Sequence, residues 1–206
     1  PLAAFGRVSG MVFPVMMLPA AILSSLAEVL IPELARCNAV GSKRRIQYLV
    51  RRNLRAALVY GLCCSGLLYL LAEPLCARLY PGEEIAPLMK RFALLVPMLY
   101  CDLIADAMTK GLGQQAACAR YSVISNVLDV SLMFFLLPQY GVDGYFFSFA
   151  LTHAVNFALS LRKVLSIGGV RLSPHFALLA PACAAFAVFG GRCFTGPLRR
   201  AAAVLG

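Results

Sequence analysis

Long apolar runs, separated by short polar stretches rich in proline, glycine or basic residues, set the pattern of the chain. A helix crosses a bilayer with about 20 mostly apolar residues. Six runs fit: about 8–34, 56–72, 92–108, 121–137, 145–161 and 176–190. The pattern predicts an all-α, polytopic membrane bundle of about six transmembrane helices. Prolines interrupt several runs: Pro14, Pro19 and Pro32 in the first, Pro97 in the third, Pro181 in the sixth. An interior proline costs a helix in water about 3 kcal/mol, but in a bundle neighbouring helices can take up the freed carbonyls. The prolines therefore read either as packing geometry or as hinges of a transport cycle.

Two stretches between runs have a helical pattern of their own. In 43–58, Ile46, Leu49, Val50, Leu54 and Ala57 recur at helical spacing among basic residues. This predicts an interfacial amphipathic helix leading into the second span, with Lys43, Arg44, Arg45, Arg51 and Arg52 available to anionic lipid head groups. The same cations also serve as a plain topology signal. The stretch PLCARLYPGEE reads as a short surface or re-entrant helix ended by Pro81 and Gly82.

Charge then sets the orientation. Arg36, Lys43, Arg44, Arg45, Arg51, Arg52 and Arg55 lie between the first and second runs, Lys110 and Arg120 between the third and fourth, and Arg162, Lys163 and Arg171 between the fifth and sixth. These three loops alternate onto one side, which the positive-inside bias makes cytoplasmic. Arg7, Arg78, Lys90 and Arg91 fall on the other side, and Arg192, Arg199 and Arg200, after the last run, are a mild conflict.

Composition supports the membrane reading. The 206 residues are 61% hydrophobic and 14% charged, against about 45–50% and 25% in a soluble domain. The balance of 19 Lys+Arg to 9 Asp+Glu, net +10, lies in loops between apolar runs and not on a basic face, so nucleic acid is not a partner. The 8 cysteines form no CxxC pair, neither histidine lies near a cysteine pair, and several sit in apolar runs as small hydrophobes. Neither a metal nor a disulfide framework is expected. No signal-peptide pattern opens the chain, and a start at Pro1 reads as a piece of something longer.

Polar groups inside the runs need partners or a wet cavity, because a charge at mid-bilayer costs about 3 kcal/mol on insertion scales. Asp102, Asp106 and Lys110 share one helix face at i, i+4 and i+8, with Asp106 and Lys110 able to pair and Asp102 in need of another partner. Asn126 and Asp129, then His153 and Asn156, add stripes on the fourth and fifth spans, and Ser24, Ser25 and Glu28 one on the first. Stripes of this kind face one another or a shared cavity. They are either interhelical hydrogen bonds, worth about 0.6 kcal/mol each, or a path for a polar substrate group, proton or ion. There is no P-loop, HExxH or GxSxG, and the glycines in 110–115 follow a membrane span, so they read as a turn closing the third span and not as a dinucleotide fingerprint. No catalytic group, cofactor or enzymatic activity is expected.

The segments GRVSGMVFPVMMLPAAILSSLAEVLIPELA, LLVPMLYCDLIADAMTKGLGQQ and LPQYGVDGYFFSFALTHAVNFALSLRKVL are similar to the C-terminal half of the stage V sporulation protein B family. That family groups with the polysaccharide-biosynthesis flippases of the multidrug/oligosaccharidyl-lipid/polysaccharide exporter superfamily. The resemblance covers about residues 5–172, and its most specific part is the TKGLGQQ turn with the aspartates before it. It implies a MATE-like fold of two six-helix lobes, often with two further helices. Residues 1–172 would be helices of the C-terminal lobe, and 173–206 an added transmembrane helix and truncated tail. It implies a flippase in a bacterial cytoplasmic membrane that moves lipid-linked oligosaccharide or peptidoglycan precursor by alternating access, partnered by membrane lipid, the lipid-linked sugar and its own N-terminal lobe. Related flippases hold pyrophosphate with cavity cations, which makes Arg7, at the mouth of the first span, the candidate here. Asp102, Asp106, Lys110, Gly111, Gly113, Gln114 and Gln115 match the family pattern. Rival readings are a multidrug cation antiporter of the same superfamily, coupled through Asp102, Asp106 or Asp129, and a non-transporting scaffold for cell-wall synthesis. A membrane-embedded transferase is a weaker option.

Overall fold

A computed structural model describes residues 2–82 and 85–169. The expected sixth span, 176–190, lies outside them. Regular structure among the described residues is wholly helical: α1 Leu2–Arg7, a π-helical turn Val8–Val12, α2 Phe13–Met17, α3 Ala20–Ala39, α4 Lys43–Leu79, α5 Ala86–Ala93, α6 Val96–Gly111, α7 Gln115–Tyr140 and α8 Val142–Gly168. α4 and α7 are each long and apolar enough to cross a bilayer, and up to four spans result if each of two bent pairs is counted as one. α8 has the length, at 27 residues, but its polar side chains keep it below that apolar content.

The bent pairs fall where the prolines predict breaks. The helix through Phe5–Met17 turns by 60° into Ala20–Ala39, with Pro19 at the joint. α5 turns by 49° into α6, which carries Pro97 in its first turn. Proline suits that place because its missing N–H would have no intrahelical partner there. Pro32, Pro74 and Pro138 lie inside continuous helices. Three tyrosines donate to backbone carbonyls around the first break. Tyr80 Oη donates to Met11 O at 3.2 Å, Tyr100 Oη to Met16 O at 2.9 Å and Tyr60 Oη to Pro19 O at 2.9 Å.

α6 is the axis of the bundle, packed against α3, α4 and α8, while α7 pairs with α8 as an outer hairpin. Most α6 side chains are buried. α7 keeps Val123, Val127, Val130, Phe134 and Phe135 exposed, as a helix facing lipid or a further protein surface would. α4 approaches α6 closely because Gly61 has no side chain: a Cβ there would lie 2.7 Å from Pro97 Cα.

Two sequence expectations need correction. The 43–58 stretch is a helix that runs into the second span, as the start of α4, but its apolar face is not interfacial. Its stripe of Ile46, Leu49, Val50, Leu54 and Ala57 is buried by protein, leaving Lys43, Arg44, Arg45, Arg51 and Arg52 exposed. The 74–79 segment likewise belongs to α4, which ends at Leu79, capped by Tyr80, before a turn in which Gly82 takes φ +86°. Both stretches continue the helix because their apolar positions stay in register with the buried face of the second span.

Side-chain contacts fix which ends lie together. Asn38 Nδ2 donates to Leu112 O at 3.3 Å, and Gln47 Nε2 to Gly168 O at 3.2 Å and Gly169 O at 3.1 Å. The basic loops after α3 and α6 and the end of α8 therefore gather at one end. At the other end, Lys90 pairs with Glu73 and Arg91 with Asp143. As partly exposed pairs these add little stability.

Candidate functional site

A hydrogen-bonded network joins α6 to α8 near the middle of both helices. The sequence dictates its layout: residues four apart share a helix face, which puts Asp102 and Asp106 on one face of α6. It also aligns Ser148, Thr152, Asn156 and Ser160 down α8, with His153 beside them. Asn156 Nδ2 donates to Asp102 Oδ1 at 2.9 Å and to Asp106 Oδ2 at 3.4 Å. Ser160 Oγ donates to Asp106 Oδ1 at 2.5 Å. His153 Nδ1 lies 3.1 Å from Asp102 Oδ2. Thr109 Oγ1 donates to its own helix at Ala105 O, 2.9 Å, and reaches Ser160 O at 3.5 Å. A second branch runs to α7, where Asp129 Oδ1 accepts from Ser148 Oγ at 2.8 Å and Thr152 Oγ1 at 3.4 Å.

The network is deeply placed. Asp102 and Asn156 are 6% and 8% exposed, and Ser148 and Ser160 are fully covered. His153, with 36% of its side chain accessible, is the open side. Its ring lies 4.4 Å from that of Phe149, itself part of an aromatic cluster with Phe13, Phe92 and Tyr145. Two carboxylates in such a place are costly unless hydrogen bonds and counter-charge meet them. Hydrogen bonds are supplied in number. The Asn156 Oδ1 atom is nevertheless buried without a partner.

The structure thus brings together Asp102, Asp106, His153 and Asn156, with Asp129 on the adjoining branch. It leaves others apart. Asp106 makes no ion pair with Lys110, which is exposed at the end of α6. Asn126 is exposed on α7, and Ser24, Ser25 and Glu28 lie on the exposed face of α3, where the two serines bond their own helix. Arg7 is exposed at the end of α1. The sequence reading passed over Ser148, Thr152, Ser160 and Thr109, although the four-residue spacing of the small polar groups on α8 was a usable signal. Gly113, with φ +77°, makes the tight turn expected after the third span. Among the described residues no cluster of three or more His, Cys, Asp or Glu side chains could hold a metal ion.

The basic end has a second feature. A groove between α3 and α4 is lined by Leu26, Val29, Leu30, Glu33, Leu49, Arg52 and Asn53. Arg45 pairs with Glu33 at 3.2 Å, and Arg52 lies 5.9 Å from the centre of the Tyr48 ring. Comparison with known proteins adds no identification: no family model, no curated protein and no solved structure matches the chain.

Proposed function

We propose that the chain is the C-terminal lobe of a bacterial lipid-linked precursor flippase. In this reading six spans, including α8 and 176–190, cross the cytoplasmic membrane with the basic end inside. An N-terminal lobe of the same protein completes a central cavity, and the two lobes rock about it while the lipid tail stays in the bilayer. No bond is made or broken.

The observation that carries the proposal is the buried carboxylate network within a bundle whose first span is broken by 60°. Intramembrane ionisable groups facing a bundle interior mark substrate or ion paths, and broken helices supply movable parts. The exposed cations at the basic end, Lys43 and Arg44 among them, suit a lipid phosphate. The resemblance of the segments around Asp102, Asp106 and the TKGLGQQ turn to flippases supports the same substrate class.

The experiment is movement of a fluorescent undecaprenyl-pyrophosphate oligosaccharide across proteoliposomes that hold the full-length protein. The expected result is movement above that of empty vesicles, lost in folded Asp102→Asn and Asp106→Asn variants. No movement over a range of head groups, with an ion gradient imposed, overturns the reading and favours drug-cation efflux or a scaffold. Movement unchanged in both variants keeps the flippase and removes α6 from its path.

A further inference from the structure

We infer that a second copy of this chain packs on the exposed face of α7, the two α7 helices running side by side with Asn126 meeting Asn126 across a twofold axis. α7 is the outer helix of the bundle: 6% of its apolar stretch is buried by the described residues, against 28% of that of α4. Along it Ala119, Val123, Asn126, Val130, Met133 and Leu137 recur at alternating steps of four and three. That spacing keeps one seam facing a neighbouring helix. None of the six is buried, and none is charged. In a bilayer the apolar members of the seam need no partner, but Asn126 does. It stands near the middle of the 26-residue helix and is exposed, and its amide has no hydrogen-bond partner among the described residues. Other exposed polar groups of α7 bond their own helix: Ser131 Oγ donates to Val127 O at 2.7 Å and Arg120 Nε to Ala116 O at 3.3 Å. Lipid tails offer no hydrogen bond, so an unmet amide at this depth is costly.

The amide decides the occupant, because the covering surface must bring both a donor and an acceptor to mid-bilayer depth. The apolar run 176–190 has Cys183 as its one polar side chain, and a thiol is weak in both roles. A second copy meets the need with no further group. An amide carries donors on one atom and lone pairs on the other, and is therefore complementary to itself. Copies that share one orientation in the membrane are related by an axis along the bilayer normal. A closed twofold contact about that axis sets identical residues opposite one another at one depth. Each Asn126 Nδ2 then donates to the Oδ1 of the other copy, with Val123 and Val130 packed on either side. Ala116 and Ala119, both exposed, are small enough to let the backbones approach at the basic end. One polar residue in an otherwise apolar seam also fixes the register of paired helices. Asp129 is taken up by Ser148 and Thr152 of its own bundle, so the seam lies clear of the network between α6 and α8. The pairing does not depend on what is transported, and its failure is separate from that of the flippase reading.

The test uses the full-length protein. Single-molecule photobleaching in dilute liposomes reads the equilibrium between monomer and dimer, and a dimer is expected. Asn126→Leu is expected to weaken the association about tenfold, for two hydrogen bonds of the strength usual between spans. Asn126→Gln, which keeps the amide, retains most of it. Cysteine cross-linking in membranes then locates the contact, in a background where Cys63, exposed in the structure, and Cys183 and Cys193 are replaced by alanine. A disulfide between copies needs Cα atoms about 4.4–6.8 Å apart. On oxidation Val123→Cys and Val130→Cys, on the seam, are expected to give linked dimers. Ile124→Cys and Phe135→Cys, equally exposed on α7 but off the seam, are expected to give no more than the background without an introduced cysteine. A wholly monomeric protein overturns the inference without any variant. So does cross-linking that does not distinguish position 123 from 124, or an association unchanged in Asn126→Leu.

Discussion

At the scale of single residues, membrane burial makes each polar contact matter individually. Ser160 Oγ and Asp106 Oδ1 are the most direct pair in the network. A double-mutant cycle of Ser160→Ala with Asp106→Asn, read by denaturant titration in micelles, is expected to give a coupling energy of about 0.5–2 kcal/mol. A value near zero would mean that the hydroxyl and carboxylate do not interact in the folded protein. Tyr100→Phe tests the first break in the same way. It leaves the Met16 carbonyl without the donor that the structure places at 2.9 Å, and a loss of about 1 kcal/mol follows from an unmet buried acceptor. The sequence made Asp102 and Asp106 legible as a pair, because charge at i and i+4 in an apolar run is rare and points one way. It did not reveal that Asp106 turns to α8 and leaves Lys110 aside. A lysine in the last turn extends along its helix to the polar surface, while a carboxylate has no such reach and takes the nearest hydroxyl, that of Ser160.

At the scale of elements, the hydrophobic pattern placed the first five runs inside helices, but the helix limits answer to tertiary packing. Pro19 and Pro97 sit at bends, whereas Pro32, Pro74 and Pro138 do not interrupt their helices. Proline alone does not choose between these outcomes; at the first break, tyrosines on α6, in the middle of α4 and just after its end donate to backbone carbonyls. Glycine shows the same dependence on context. A Cβ at Gly61 would meet the Pro97 backbone, whereas one at Gly66, on the same helix, meets nothing within 4 Å. Gly66→Ala is therefore expected to stabilise α4 by up to about 1 kcal/mol, the usual helix-interior difference. Gly61→Ala is expected to destabilise by about 1–3 kcal/mol, the usual cost of overpacking. Denaturant midpoints of the two variants should move in opposite directions; a shift of the same sign would mean that α4 does not cross α6 at Gly61.

At the scale of the whole molecule, α4 links the membrane to the basic end. Its 37 residues reach about 55 Å at 1.5 Å per residue, well beyond a hydrocarbon core of about 30 Å. The helix is thus longer than one crossing needs, and the apolar stripe of its basic first turns is covered by protein. The contact of Asn38 with Leu112 holds the α3–α4 and α6–α7 turns at that same end, whether α5 and α6 form one bent span or a re-entrant pair. This fixes a test of sidedness. In a background where Cys63, exposed in the structure, and Cys183 and Cys193 are replaced by alanine, Ser42→Cys and Gln115→Cys must label alike, and Gln139→Cys, at the far end of α7, must label oppositely. With the positive-inside bias, a membrane-impermeant maleimide is expected to reach Gln139→Cys in intact cells and the other two only after permeabilisation. Inverted labelling would keep the bundle and reverse the cytoplasmic assignment of the basic loops. Unlike labelling of positions 42 and 115 would break the packing of α3 against α6, and with it the arrangement that holds the carboxylates of α6 against α8.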